Sequence, residues 1–223
     1  MKERPILFSS EMVRALLSGR KTQTRRVVKW ANEEHSLVRL KDRYAAPVRD
    51  GVGLTWIPYG GSPEVPMPPE KISELSPYGA IGDRLWVRET WDVGFTSDEQ
   101  WVRFRVDDTC SPVEYEHRNS LIDNWDNYHT PGWRPSIHMP RWASRLTLEL
   151  TDVRVERVQA ITNSDAIAEG CVGGATVEGY SEDNPADPYE EYAILWDALN
   201  AKRGYSWDSN PWVWVLSFRR LDA

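Results

Sequence analysis

Apolar and polar positions along this chain fall into short periods that break at glycines and prolines. Arg4-Pro5-Ile6-Leu7-Phe8 reads as a short apolar strand. Ser9 or Ser10 can then accept a backbone N–H bond and start a helix. Met12, Val13, Leu16 and Leu17 form one apolar stripe with Arg14 and Ser18 opposite, which is the pattern of an amphipathic helix. Gly19 is its natural C-terminal stop, because glycine takes the left-handed conformation at little cost. Thr22 to Val28, rich in β-branched residues, predicts a strand.

The periodicity is lost over 31–78, where seven prolines and four glycines interrupt the chain, and this predicts a long irregular insertion. Order returns after the Gly82-Asp83 turn. Leu85 to Trp91 alternates as a strand, with Leu85, Val87 and Glu89 on one face and Trp86, Arg88 and Thr90 on the other. In 101–106 Trp101, Arg103 and Arg105 alternate with Val102, Phe104 and Val106, again a strand. A second irregular insertion is expected at 107–134. Arg145 to Val158 is a long β-rich stretch with Leu146, Leu148 and Leu150 on one face.

Thr162-Asn163-Ser164-Asp165 has the form of a capping box with Asp in the third position, and it predicts a short helix ending at Gly170. Asp187-Pro188 opens a longer helix, with Asp as cap and Pro at the first position. Tyr192, Leu195, Trp196 and Leu199 mark its apolar face, and Lys202-Arg203-Gly204 marks its end. Trp212 to Leu216 is apolar on both faces, as a strand covered on both sides would be. No strand–helix–strand cycle recurs, which argues against a doubly wound sheet. The expected class is α+β: one domain over 1–223, a small, partly closed β-barrel with helices packed at its mouth and two long insertions.

Composition adds three constraints. Twelve tryptophans, spread from Trp30 to Trp214, point to core and cleft walls rather than to one aromatic belt. Two cysteines, Cys110 and Cys171, make no disulfide framework, and no eighteen-residue apolar run occurs. With a charged start lacking an apolar leader, this places the expected home in the cytoplasm, and no membrane partner is expected. The net charge of −7 opposes binding to nucleic acid, but its distribution is uneven. Residues 1–30 hold eight basic side chains against Glu3 and Glu11, so one electropositive face on an acidic body is expected.

Candidate chemistry gathers where the first helix gives way to the second strand, at Gly19-Arg20-Lys21-Thr22-Gln23-Thr24-Arg25-Arg26. There is no phosphate loop of the Gly-x-x-x-x-Gly-Lys-Ser/Thr type and no Gly-x-Ser-x-Gly nucleophile turn. His35, His117, His129 and His138 lack a metal spacing, so neither a metal nor a cofactor is expected. Lys21 and Thr24 would face opposite ways in a regular strand, yet at a turn both can enter one cleft. A threonine hydroxyl needs a base to become a nucleophile. A lysine serves as that base only where desolvation or nearby cations lower its pKa. A salt-bridged surface corner accounts for the same residues. Glu169 stands out because it occupies the last turn of a helix, where the macrodipole disfavours a carboxylate. Exposure to solvent would make that placement nearly harmless.

Taken together, these stretches resemble ASCH-domain proteins, a branch of the PUA-like β-barrels, in the enlarged form found in phages and prophages. The resemblance runs through Leu17 to Arg26 and Gly82 to Trp91. It continues in Pro135-Ser136-Ile137-His138-Met139-Pro140-Arg141-Trp142-Ala143-Ser144-Arg145, Thr162 to Gly170, and Asn210-Pro211-Trp212-Val213-Trp214. The family signature Gly-x-Lys-x-x-Thr is met by Gly19, Lys21 and Thr24. In similar small bacterial members that Lys and Thr act with a Glu to hydrolyse the amide of acetylated cytidine, and the matching helix puts that Glu at Glu169. The resemblance thus implies acyl transfer: Lys21 as base, Thr24 as nucleophile, Glu169 orienting or protonating the leaving amine. Lys21 activating water directly is a variant of the same scheme. Arg26 or a backbone N–H is the candidate oxyanion donor. Arg88, Glu89, His138 and Arg141 are the candidate pocket walls, or structural hydrogen-bonding residues.

Three functions are therefore in play: an amidohydrolase acting on an acylated nucleoside, free or within RNA; a non-catalytic RNA or modified-base binding module; and an accessory protein that binds a host protein. PUA-like architecture favours the second only by analogy.

Overall fold

Local signals set most of the element boundaries. Ser9 accepts the Met12 N–H and starts the first helix, and Gly19, at φ +74°, turns the chain after Ser18 has closed it. The Thr162–Asp165 and Asp187–Glu190 pairs both form complete capping boxes. Gly170, at φ +107°, ends the helix that the first of these opens. The computed structural model describes residues 1–29, 38–39, 43–47, 54–58, 65–66, 69–95, 100–113, 132–174 and 185–221; side chains are described at 1–29, 71–94, 100–113, 132–174 and 185–221. His35, His117 and His129, with most of the 107–134 insertion, lie outside the described residues.

In chain order the strands are β1 (Glu3–Leu7), β2 (Gln23–Val27), β3 (Val38–Arg39), β4 (Arg43–Pro47), β5 (Leu54–Pro58), β6 (Val65–Pro66), β7 (Arg84–Arg88), β8 (Trp91–Phe95), β9 (Gln100–Phe104), β10 (Cys110–Pro112), β11 (Thr147–Arg157) and β12 (Trp212–Leu221). The α-helices are α1 (Ser10–Leu17), α2 (Pro69–Leu75), α3 (Asn163–Glu169) and α4 (Pro188–Asn200). The class is α+β, as the patterning predicts. The stretch 31–78 is more regular than expected, since it contains the antiparallel set β3-β4-β5-β6 and helix α2. Ladder bonds between backbones formed there despite the prolines, three of which close strands at Pro47, Pro58 and Pro66. No helix among the described residues is long and apolar enough to cross a membrane.

The chain divides into two compact units. The first comprises Met1–Gly19, Asp83–Glu149 and Arg220–Ala223. In it β1 runs parallel to β7, and β7 pairs antiparallel with the first residues of β11. A three-stranded antiparallel sheet, β10-β9-β8, lays Trp91, Val93, Val102 and Phe104 on Met139, Ala143 and Val113. On the other face of that sheet Trp101 lies flat over Gly94. A Cβ at Gly94 would sit 1.9 Å from the indole, so only glycine fits. The strand expected over Leu85 to Trp91 is two strands, β7 and β8, with Glu89 and Thr90 between them.

The second unit comprises Arg20–Gly82 and Leu150–Arg219. Here β12 pairs antiparallel with β2, Val213 opposite Val27 through Ser217 opposite Gln23. Helices α3 and α4 cover that ladder: Ala166, Tyr192 and Trp196 pack with Val158, Ile161, Cys171, Val213 and Val215. Trp212 to Leu216 is buried throughout, as its two apolar faces predict. Along β11 the buried positions change phase, from Leu148 and Leu150 to Val153 and Val155. Beyond Thr151 the polar face therefore carries Asp152, Arg154 and Glu156.

Candidate functional site

The backbone around Thr22 is fixed from two sides. Its N–H donates to the carbonyl of Ala168 in α3 (2.8 Å), and its carbonyl accepts the Phe218 N–H from β12 (2.9 Å). Lys21 thus precedes the first strand residue, Gln23, and escapes strand alternation, while its backbone neighbour is tied to the helix that bears Glu169. The consequence is a buried pair. Lys21 Nζ donates to Glu169 Oε2 at 2.6 Å and to the Glu169 carbonyl at 2.7 Å, with side-chain exposures of 0% and 2%. Glu169 is not the solvated helix-end carboxylate that exposure would have excused. Instead its charge is offset by Lys21 and by Arg25 of β2.

Burial pushes the Lys21 ammonium below the usual lysine range; Glu169 opposes that shift and the nearby Arg26 charge adds to it. This is the condition under which a lysine can serve as a base. Arg26 is itself pushed down by burial and feels Tyr78, Glu169 and Tyr192. Within β2, alternation puts Gln23 and Arg25 on one side of the pleat and Thr24 and Arg26 on the other. Thr24 is buried and pairs across the ladder with Leu216. Lys21 and Glu169 are joined directly; Thr24 is three residues along the chain from Lys21 and on the side of Arg26, the candidate oxyanion donor.

Sequence reasoning did not find the part played by Arg25. Its side chain is fully buried, 3.5 Å from Glu169 Oε1, 3.4 Å from Glu156 and 3.4 Å from Asp165. Its Nη1 donates to Gln23 Oε1 at 2.6 Å, and its guanidinium lies 5.9 Å from the Tyr192 ring centroid. Arg154 extends the network by pairing with Asp152, Glu156 and Asp165. The alternating Asp152-Val153-Arg154-Val155-Glu156 run held the signal for one side of this network, but nothing in it names Arg25 as the partner. Tyr192 and Cys171 complete the surroundings. Burial pushes the Tyr192 hydroxyl well up and the Cys171 thiol up to about 12.

The expected pocket walls belong to the first unit. Glu89 is held by a two-bond grip from Arg145, at 2.9 Å on each oxygen, and burial pushes its carboxyl up. Arg88 stacks on the Trp86 ring at 4.6 Å. Arg141 donates to Glu3 (2.7 Å) and Thr147 (3.2 Å), and His138 is exposed at the end of a 3-10 turn. Gly19 also falls in this unit, where its N–H closes on the Leu16 carbonyl. Among the described residues no group of three or more His, Cys, Asp and Glu side chains is arranged to hold a metal ion.

No family model, curated protein or solved structure matches the chain.

Proposed function

We propose that the chain is an enlarged ASCH-type protein of PUA-like barrel architecture, and that it hydrolyses the amide of an acylated nucleoside, acetylated-cytidine-like, free or in RNA. The observation that carries this reading is the Lys21–Glu169 pair: 2.6 Å long, buried, and with the lysine's charged form disfavoured. The helix holding Glu169 is tied to the backbone between Lys21 and Thr24 by the Thr22 N–H, which donates to Ala168.

In the proposed reaction, neutral Lys21 takes the Thr24 hydroxyl proton as Oγ1 attacks the acyl carbon. The carbon–nitrogen bond then breaks, and the leaving amine receives the proton through Glu169. Water hydrolyses the Thr24 ester, releasing the carboxylic acid and restoring the hydroxyl, so that one water is consumed per amide. Arg26, whose cation lies in the electrostatic reach of Lys21, is the proposed stabiliser of the oxyanion. In the variant scheme Lys21 deprotonates water directly, and Thr24 only orients the substrate.

The test is incubation of the purified protein with acylated nucleosides and acylated RNAs, with deacylation followed by mass spectrometry. Turnover lost in Lys21→Ala and Thr24→Ala, with folding retained, supports the nucleophilic route. Turnover kept at about a tenth or more in Thr24→Ala favours the water route, since losing a nucleophile costs far more than that. Absence of turnover on every substrate, with salt-dependent RNA binding that survives Thr24→Ala, refutes catalysis and leaves a binding module.

A further inference from the structure

We propose that Arg25 is a positioning residue that sets the proton occupancy of Lys21 within its pair with Glu169; its kinetic consequence rests on the acyl-transfer reading above, its electrostatic consequence does not. The geometry separates this role from ordinary structural clamping. Arg25 donates its short hydrogen bond, 2.6 Å, to neutral Gln23, while it stands 3.5 Å from Glu169 Oε1, and that oxygen has no hydrogen-bond donor among the described residues. Toward Glu169 the guanidinium thus acts as a fixed charge in a water-poor environment more than as a hydrogen-bonded partner. A fixed cation there disfavours the Lys21 ammonium that the same carboxylate binds. The effect takes the proton from Lys21 and leaves the amine free to act as a base.

The charge of Arg25 is itself moderated. Glu156 of β11 and Asp165 of α3 each approach it at 3.4 Å, and Arg154 binds both of those carboxylates in turn. Tyr192 of α4 faces Arg25 from the side, and Cys171 faces Glu169. Arg26 acts on the same pair from β2, with Tyr78 and Arg203 acting on Arg26. Since Tyr192 and Cys171 are both pushed up, they stay neutral near pH 7 and leave the balance to the arginines and acids. The network is therefore adjustable from either side: removing Arg25's charge should return the proton to Lys21, and removing Glu156's charge should withdraw it.

The experiment titrates Lys21 directly by NMR in protein carrying labelled lysine side chains, with the Lys21 signal assigned by Lys21→Arg. Arg25→Gln is expected to raise the Lys21 midpoint measurably, because it removes a cation 3.5 Å from the carboxylate that binds Lys21. Glu156→Gln is expected to move it the other way, and Arg25→Lys to hold it near the wild-type position. If Arg25→Gln does not fold, Glu156→Gln and Arg25→Lys still decide the matter. An unmoved midpoint in Glu156→Gln overturns the proposal, as does a shift of the same sign in both neutralising variants. The acid limb of the deacylation pH profile is expected to follow the Lys21 midpoint in every variant. Activity that falls equally at all pH values, with no limb shift, assigns Arg25 a purely structural role. Shifted Lys21 midpoints without turnover of any substrate uphold the positioning role and overturn the enzymatic reading instead.

Discussion

Replacing Glu169 with Leu is expected to destabilise the protein by about 3–5 kcal/mol, the usual cost of leaving one member of a buried ion pair without its partner. At 2.6 Å the gross attraction is roughly 6 kcal/mol for an effective dielectric constant of about 20, before desolvation is counted. Arg25, at 3.5 Å, supplies a second attraction on Glu169 of roughly 5 kcal/mol on the same scale. The two losses are therefore unequal. Lys21→Met leaves Glu169 facing Arg25 and is expected to cost less, whereas Glu169→Leu removes the carboxylate that Lys21 binds and leaves the Arg26 charge acting on it. The double variant is expected to be more stable than Glu169→Leu alone.

The pH dependence has a defined sign. Lys21 has a folded pKa below its unfolded value of about 10.4, so between the two the unfolded chain binds more protons. Its burial penalty is fully present below the folded pKa and disappears as pH rises toward the unfolded value. The Glu169→Leu deficit should thus shrink on going from neutral to alkaline pH. Urea titration read by tryptophan fluorescence, with Trp196, Trp207, Trp212 and Trp214 in the unit concerned, measures the changes; far-UV circular dichroism checks that the transitions coincide. A Lys21→Met cost equal to or above that of Glu169→Leu refutes the reasoning, and so does a double variant that loses the sum of the two.

Two further outcomes follow from the packing. Gly94→Ala is expected to cost about 1–3 kcal/mol, because its Cβ would fall 1.9 Å from the Trp101 ring; in a Trp101→Ala background the same change should be nearly neutral, as a denaturation cycle would show. Native-state thiol labelling at pH 8 should modify Cys110 rapidly and spare Cys171, which is buried with its thiol pushed up to about 12; equal rates for both would refute that assignment.

Much of this structure was legible in local sequence. The Ser9 cap, the Thr162–Asp165 and Asp187–Glu190 boxes, and the left-handed turns at Gly19 and Gly170 depend on residues within a few positions of each other, and they formed as their patterns predict. Prolines misled where they were dense: the strands of 31–78 rest on backbone pairing, which side-chain periodicity does not encode. The partners of the proposed pocket residues were hidden for a related reason. Glu89 and Arg141 have the residue types of a binding site, yet Arg145 and Glu3 engage them, and only folding selects such partners.

The corner from Gly19 to Arg26 divides along the same line. The sequence by itself determined that an amine, a hydroxyl and three guanidinium groups follow a helix stop, because chain connectivity alone puts them there. It also marked Glu169 as an acid at an unfavourable helix end. The tertiary structure alone decided that Lys21 meets Glu169 across 148 residues, and that Arg25 enters a group of three carboxylates. The physical reason is that the charge state of a lysine depends on desolvation and on nearby ions. Both depend on segments that cover it, and the carboxylate it binds lies in a helix far along the chain.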